Sequence, residues 1–252
     1  MSCTPRELEA YLSELLGVAS FADFCPNGLQ VEGGRLIERL AVGVTANLAM
    51  LEAAREVEAD AVLVHHGLFW NKDPRALTGW RAARVRSLMQ ADQSLFAYHL
   101  PLDAHAEFGN NAGMLRAMSL QPTEPLVVEG LALGFVSRLE QPMTAIEIVE
   151  RIEAVTGREP LVFGDPDQPV TTVGMLSGGG AGYFEAARSA GVDLYITGEP
   201  AEYSQALSEE LGGMFVAAGH HATERFGVEL LGKHLVRIFG LELMVIDIDN
   251  PV

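Results

Sequence analysis

Two hydrophobic periods alternate along this chain. MSCTPRELEAYLSELLG (1–17) opens as a capped amphipathic helix. RLAVGVT (39–45) and DAVLVHH (60–66) are short apolar runs that read as buried strands around a helical stretch, NLAMLEAAREVE (47–58). Further on, RAARVRSLMQAD (81–92) predicts a helix, SLFAYHL (94–100) a strand, and NNAGMLRAMSL (110–120) another helix. QPTEPL (121–126) has the composition of a linker. Strands alternating with helices of this length predict an α/β protein with parallel or mixed sheets.

The second half repeats the plan. VGVTANLAMLEAAREVEADAVLVHH (42–66) aligns with VGMLSGGGAGYFEAARSAGVDLYITGE (173–199). Both carry Val-Gly, then Glu-Ala-Ala-Arg, then an aspartate five residues after the arginine, then a strand. Asp60 thus matches Asp193, and His66 falls opposite Glu199. The expected architecture is two similar, intertwined α/β halves from an internal duplication, divided at 1–125 and 126–252, with the C-terminal segment able to return to the first half. A cleft between such halves is the expected ligand site.

Composition narrows the classes. The chain has 252 residues, 48% of them hydrophobic and 20% charged, as expected of a globular protein with a sizeable core. No run reaches a membrane span, and the opening segment lacks the pattern of an export signal, so a cytosolic protein is expected. Cys3 and Cys25 cannot build a disulfide framework and read as free structural thiols. Thirty-four acidic residues against 17 basic give a net charge of -17. No basic cluster of the kind that neutralises duplex phosphates is expected, and an anionic substrate would need positive charge from elsewhere, such as a metal.

Five of the seven histidines fall near ends of predicted strands: His65, His66, His99, His220 and His221. Asp103 and Glu224 stand beside them. Ligands of open α/β sheets gather beyond the carboxyl ends of strands. Each piece alone has a plainer reading: a His pair at a turn, Asp103 as a turn residue after Pro101, Glu224 as a first-turn acid. Together they point to a metal site. His220 and Glu224, four apart, share a face if a helix starts near Gly219. Imidazole with carboxylate and no thiolate suits Zn, Mn, Fe or Co and argues against a closed structural zinc site.

Over nearly its whole length the chain resembles the Nif-three-like dinuclear metal centre family, whose members are often labelled type-two GTP cyclohydrolase I homologues. PNGLQVEG (26–33), VLVHHGLFW (62–70), YHLPLDAHAEFGNNAGM (98–114), YITGEPAEYS (195–204), AAGHHATERFG (217–227) and the closing IDIDNPV (246–252) carry the resemblance. It implies two divalent metal ions per chain, held by His65, His66, Asp103, His220 and Glu224, and a toroidal homohexamer. Relatives with a large insert between the halves have no counterpart here. Some also place a histidine where this chain has Ser204, so no ligand is assigned there. His99 and His105 could contact a metal, orient a ligand, or serve a turn. His221 is expected to be structural and His234 exposed.

MLSGGGAGYFEAA (175–187) runs strand, glycine loop, helix. Gly178, Gly179 and Gly180 could hold a phosphate on backbone N–H groups, but no Gly-Lys-Ser/Thr follows, and a tight turn for packing is the plainer reading. The functional expectation is a metal-dependent hydrolase acting on a small molecule such as a purine nucleotide, with His99, His105 and Glu199 as candidate catalytic groups. The alternative is a metal-binding regulatory or interaction protein without turnover. Duplex nucleic acid and membrane are not expected partners.

Overall fold

A computed structural model describes residues 2–252. The chain is mixed α/β and forms two compact units, each around its own mixed sheet. The first comprises the residues up to Leu102 together with Gly227–Asp249; the second comprises Asp103–Phe226 and Asn250–Val252.

In the first unit, helix α1 (Pro5–Leu15) starts from a capping box in which the Thr4 and Glu7 side chains and backbone N–H groups reciprocate. Such a cap contributes about 1 kcal/mol. Strand β1 (Gly28–Val31) follows, then β2 (Arg39–Thr45), α2 (Leu48–Glu56), β3 (Ala61–His66), α3 (Gly79–Ala91) and β4 (Ser94–Ala97). The sheet order is β1-β4-β3-β2-β11, where β11 is Glu242–Val245 near the C-terminus. β2, β3 and β4 run parallel, β11 adds parallel to β2, and β1 is antiparallel to β4. β2 and β3 are apolar on both faces because both are covered, as parallel strands require. Met50, Leu51 and Ala54 of α2 pack into the core with Val62, Val64, Leu95 and Ala97.

Helices α4 (Leu100–Asp103) and α5 (Asn110–Ala117) lead into the second unit's strands β5 (Glu124–Val128) and β6 (Leu131–Thr144). Then come α6 (Ala145–Thr156), β7 (Leu161–Phe163), β8 (Pro169–Met175), α7 (Phe184–Ser189), β9 (Leu194–Thr197), α8 (Ser204–Leu211), β10 (Met214–Ala217), α9 (His220–Thr223) and α10 (Arg225–Phe239). The order is β5-β6-β8-β9-β10-β7, with β8, β9 and β10 parallel and β7 antiparallel to β10. Ile148 and Ile152 of α6 pack with Val173, Met175, Leu194, Ile196, Met214 and Val216.

The repeat seen in the sequence has a topological counterpart. A capped helix, a strand antiparallel to the last parallel strand, and then three parallel strands appear in the same order in both units. Thr144 and Glu147 form the same capping box as Thr4 and Glu7. The matched aspartates do one job twice. Asp60 Oδ2 accepts from the N–H groups of Glu38 and Arg39 at 3.0 and 2.9 Å; Asp193 Oδ2 accepts from Thr171 and Thr172 at 2.9 and 3.0 Å. Each ties the start of one parallel strand to the turn that launches the next.

Three boundaries differ from expectation. The strand foreseen over 94–100 ends at Ala97, because Pro101 and Leu100 open α4 instead. The supposed linker 121–126 already holds β5, paired with β6. The units part at Leu102 rather than at residue 125, so Asp103 belongs to the second, while β11 returns to the first. No helix among the described residues is long and apolar enough to cross a membrane.

Candidate functional site

In the first unit, β3 ends on His65 and His66, and the turn after β4 carries His99. One ring nitrogen of each lies within 4.8 Å of the others. Their ring centroids are 4.6 to 5.6 Å apart. His65 is fully buried and its Nδ1 lies 3.0 Å from the carbonyl of Tyr98. A carbonyl only accepts, so Nδ1 carries the hydrogen and Nε2 the coordinating lone pair. His66 Nδ1 pairs with Thr45 Oγ1 at 3.2 Å. His99 Nδ1 pairs with Asp23 Oδ1 at 2.7 Å, and Asp23 also accepts from Asn27 Nδ2 and from the N–H groups of Phe24 and Leu100. Burial works against the Asp23 charge, but His99 and then Asn27 and Phe24 hold its carboxyl below the usual range. Cys25 lies beside Asp23 and His99, but burial, and then the Asp23 charge, pushes its thiol up to about 12. It stays a thiol, and these donors are nitrogen and oxygen.

In the second unit, α9 opens on His220 at a glycine, Gly219, whose φ is 98°. The four-residue spacing brings His220 Nε2 to 3.2 Å from Glu224 Oε1. On the other side His220 Nδ1 lies 2.5 Å from Glu199 Oε1, at the end of the β9 turn. Burial disfavours the imidazolium, yet Glu224 and then Glu199 outweigh it and lift the His220 pKa to about 9. Asp103 Oδ1 accepts from Asn110 Nδ2 at 2.8 Å and from Ser177 Oγ at 3.0 Å. One carboxylate oxygen of Asp103 lies within 4.8 Å of one of Glu224. Both residues are buried, at 8% and 3% exposure, so their charges call for compensation, which the His220 imidazolium beside Glu224, a shared proton or a bound cation would each supply.

The glycine loop serves this second set by shape. A Cβ on Gly178, whose φ is +65°, would collide with Glu224 Oε1 and stand 3.2 Å from His220 Nε2. The Gly178 N–H is directed to Thr223 Oγ1 at 3.2 Å, and that of Gly180 to Thr197 Oγ1 at 3.0 Å. Two of the three amides proposed to cradle a phosphate therefore already have side-chain acceptors. Gly179 has open space around it.

Other sequence candidates fall elsewhere. His105 Nδ1 accepts from the N–H groups of Glu107 and Phe108, closing the turn ahead of α5. Glu199 sits against His220 as an orienting carboxylate. His221 is buried. His234, expected exposed, is half-buried, stacked on Tyr11 and bonded to its hydroxyl at 2.5 Å. Sequence reasoning missed Asp23, Thr45, Ser177 and Asn110, which hold the donors in place. It also missed a basic cluster: five of the chain's 17 basic residues, but only one of its 34 acids, lie between Asn71 and Gln90.

The nitrogen and oxygen donors sit on segments that are shared with a known family. Residues 3–251 match Duf34/NIF3 (NGG1p interacting factor 3). The chain belongs to the Duf34/NIF3 family. A family relative from Allochromatium vinosum, named GTP cyclohydrolase 1 type 2 homolog, is 46% identical over 246 residues, covering 98% of this chain and 96% of that protein. Among solved Duf34/NIF3-like structures, protein ybgI superposes with a TM-score of 0.93 at 39% identity, covering 99% of this chain and 100% of that one. TTHA1606 from Thermus thermophilus gives 0.89 at 34% identity, covering 99% and 100%.

Proposed function

We propose that this protein binds two divalent cations through His65 and His66 of the first unit and Asp103, His220 and Glu224 of the second, and uses them to hydrolyse a purine nucleotide. The observation that supports the reading is the buried Asp103–Glu224 carboxylate pair, whose charge a cation would offset, together with the His65 imidazole, whose Nδ1 is taken by the Tyr98 carbonyl so that Nε2 is its ligand atom. All five donors are nitrogen or oxygen, the set preferred by Zn, Mn, Fe and Co sites that keep an open position. Bound cations would supply Lewis-acid activation of water and of the electrophilic substrate.

The chain's own groups set the stage for that chemistry. Tyr98 O and Glu199 each hold a hydrogen at a histidine Nδ1, leaving Nε2 as the coordinating atom once His220 gives up its second proton. Asp23 does the same for His99, a further donor or an orienting group beside the pair. Asn110 and Ser177 fix the Asp103 carboxylate so that it need not reorganise on binding. The relative's name suggests the substrate: GTP, whose guanine loses C8 as formate on ring opening. A ring-shaped homohexamer belongs to the same proposal.

Elemental analysis of freshly purified protein, followed by formate release from GTP, tests this. Two metals per chain and formate production abolished by chelation are expected. Protein isolated without metal, and taking up none on incubation, overturns the metal reading. Two bound metals with no formate from GTP, and no turnover of other nucleotides, favours the metal-binding interaction protein instead. Light scattering in solution checks the hexamer.

A further inference from the structure

The basic cluster between Asn71 and Gln90 has no role in the donor sets, and packing does not explain it. Of the thirteen residues of α3, only Ser87 and Leu88 are buried. Arg81 and Arg84 both place their guanidinium carbons over the exposed Trp80 ring, at 4.3 and 4.6 Å from its centroid. Two cations on one indole repel each other. Burial, and then the charge of Arg81, lowers the Arg84 pKa. Arg81 has a carboxylate partner in Asp73 at 2.7 Å, but no carboxylate lies within ion-pair range of Arg84 among the described residues. A chain with a net charge of -17 places one carboxylate, Asp73, among the five basic residues of this segment.

A continuous set of contacts ties this arm to the imidazoles of the same unit. Trp70 lies 5.8 Å from the His66 ring and 5.3 Å from the His99 ring, centroid to centroid. The turn from Trp70 closes on Asp73, whose N–H donates to the Trp70 carbonyl at 2.9 Å. Asp73 then holds Arg81. The whole segment leaves the carboxyl end of β3, the edge where ligands of parallel sheets bind.

We propose that Arg81 and Arg84, with Lys72 and Arg75 on the preceding loop, bind the phosphate oxygens of the nucleotide whose base is presented to His65, His66 and His99. Guanidinium groups give paired donors to phosphate oxygens, and the anion relieves the repulsion between the two arginines. The site replaces the glycine loop as the phosphate-recognition element. It rests on the nucleotide substrate proposed above, but not on any metal being bound.

Trp70 and Trp80 are the chain's two tryptophans, so intrinsic tryptophan fluorescence reports on this segment alone. Chelator-treated full-length protein, freed of chelator, is titrated with inorganic triphosphate. A saturable change is expected, weakened by salt. Arg84→Gln should raise the midpoint about 10-fold or more, the loss expected for one charge-assisted contact. Arg237→Gln, on α10, should leave it unaltered, and unchanged thermal unfolding of Arg84→Gln excludes a folding defect. If that variant does not fold, Arg75→Gln on the loop replaces it, with a smaller shift in the same direction. Calorimetry should show GTP binding with Arg84 dependence and guanosine binding far more weakly.

No saturable change in the wild type, or equal midpoints in wild type and Arg84→Gln, overturns the proposal. Tighter binding of a short single-stranded oligonucleotide than of triphosphate overturns the assignment to a small substrate. The two readings fail separately. Metal-replete protein indifferent to Arg84→Gln keeps the metal centre and loses the phosphate arm. Triphosphate binding that needs Arg84, in protein that takes up no metal, does the reverse.

Discussion

The two units share a plan but carry different chemistry on it. Both launch their parallel strands from an aspartate that accepts two backbone N–H groups, and both start from a Thr-Glu capping box. On the first, the end of β3 and the turn after β4 supply imidazoles, oriented by a carbonyl, a hydroxyl and one carboxylate. On the second, His220 at the start of α9 lies between Glu224 and Glu199, and Asp103 at the end of α4 comes close to Glu224. The scaffold, which depends on backbone geometry, repeats in both units, whereas the side chains at their strand ends differ. The first set is made of imidazoles, and the second adds carboxylates whose charge a cation would offset.

The largest effect should come from removing one set at a time. His65→Ala with His66→Ala, and His220→Ala with Glu224→Ala, each remove two proposed ligands and should lower metal affinity by ~100-fold or more, beyond the range usual for orienting residues. Metal per chain and calorimetric affinity measure this. Wild-type metal content and affinity in either double variant would remove those residues from the ligand set. The orienting carboxylates come next. Asp23→Asn and Glu199→Gln leave every proposed ligand in place, so each should weaken metal binding by roughly 10- to 100-fold. No change for Asp23→Asn would place His99 outside the metal site.

Neighbouring glycines offer a steric version of the contrast. At Gly178 an alanine Cβ meets the Glu224 carboxylate on a left-handed backbone, whereas at Gly179 nothing lies within 4 Å and φ is -82°. Gly178→Ala should cost about 1–3 kcal/mol of stability and reduce metal content as Glu224 is displaced. Gly179→Ala should be close to neutral. Chemical denaturation of both variants checks it, and equal costs would mean the loop does not shape the carboxylate. On the scaffold itself the units should agree: Asp60→Asn and Asp193→Asn should each cost about 1–3 kcal/mol, since an amide oxygen accepts less strongly and its NH₂ faces donors. A large cost at one and none at the other would mean the repeated hydrogen bonds are not equivalent in energy.

Much of this was legible from residue order. Apolar runs marked β2, β3 and the helix between them, and the Glu-Ala-Ala-Arg repeat marked the repeated plan, because both are local patterns. His65, His66, Asp103, His220 and Glu224 stood out for the same reason: unusual polar residues at the ends of apolar strands. What stayed hidden is non-local. Asp23 meets His99 across 76 positions, and a lone aspartate in a loop carries no signal of that. The return of Gly227–Asp249 to the first unit depends on β11 pairing with β2, far away in sequence. Gly178 is needed for its shape against Glu224, which a glycine run does not distinguish from a phosphate loop. The Arg81–Arg84 cluster vanished into a net charge of -17, since a whole-chain sum discards position.

The smallest effect separates the two imidazole environments by pH. His220 titrates at about 9, above the ordinary 6.5: burial opposes the charge, but Glu224 and then Glu199 more than compensate. In metal-free protein between those values, the folded chain keeps a proton that the unfolded chain has released. This contribution to stability is therefore fully present below 6.5 and declines as the pH rises, disappearing above about 9. A cation at Nε2 must displace that proton, so apparent metal affinity should rise with pH across the same window, by at most about 10-fold per unit. Thermal unfolding of chelated wild type and Glu199→Gln from about pH 6 to pH 9.5 should show the wild-type midpoint falling more steeply. A midpoint independent of pH in both, with metal affinity equally flat, would mean that His220 stands neutral between its carboxylates.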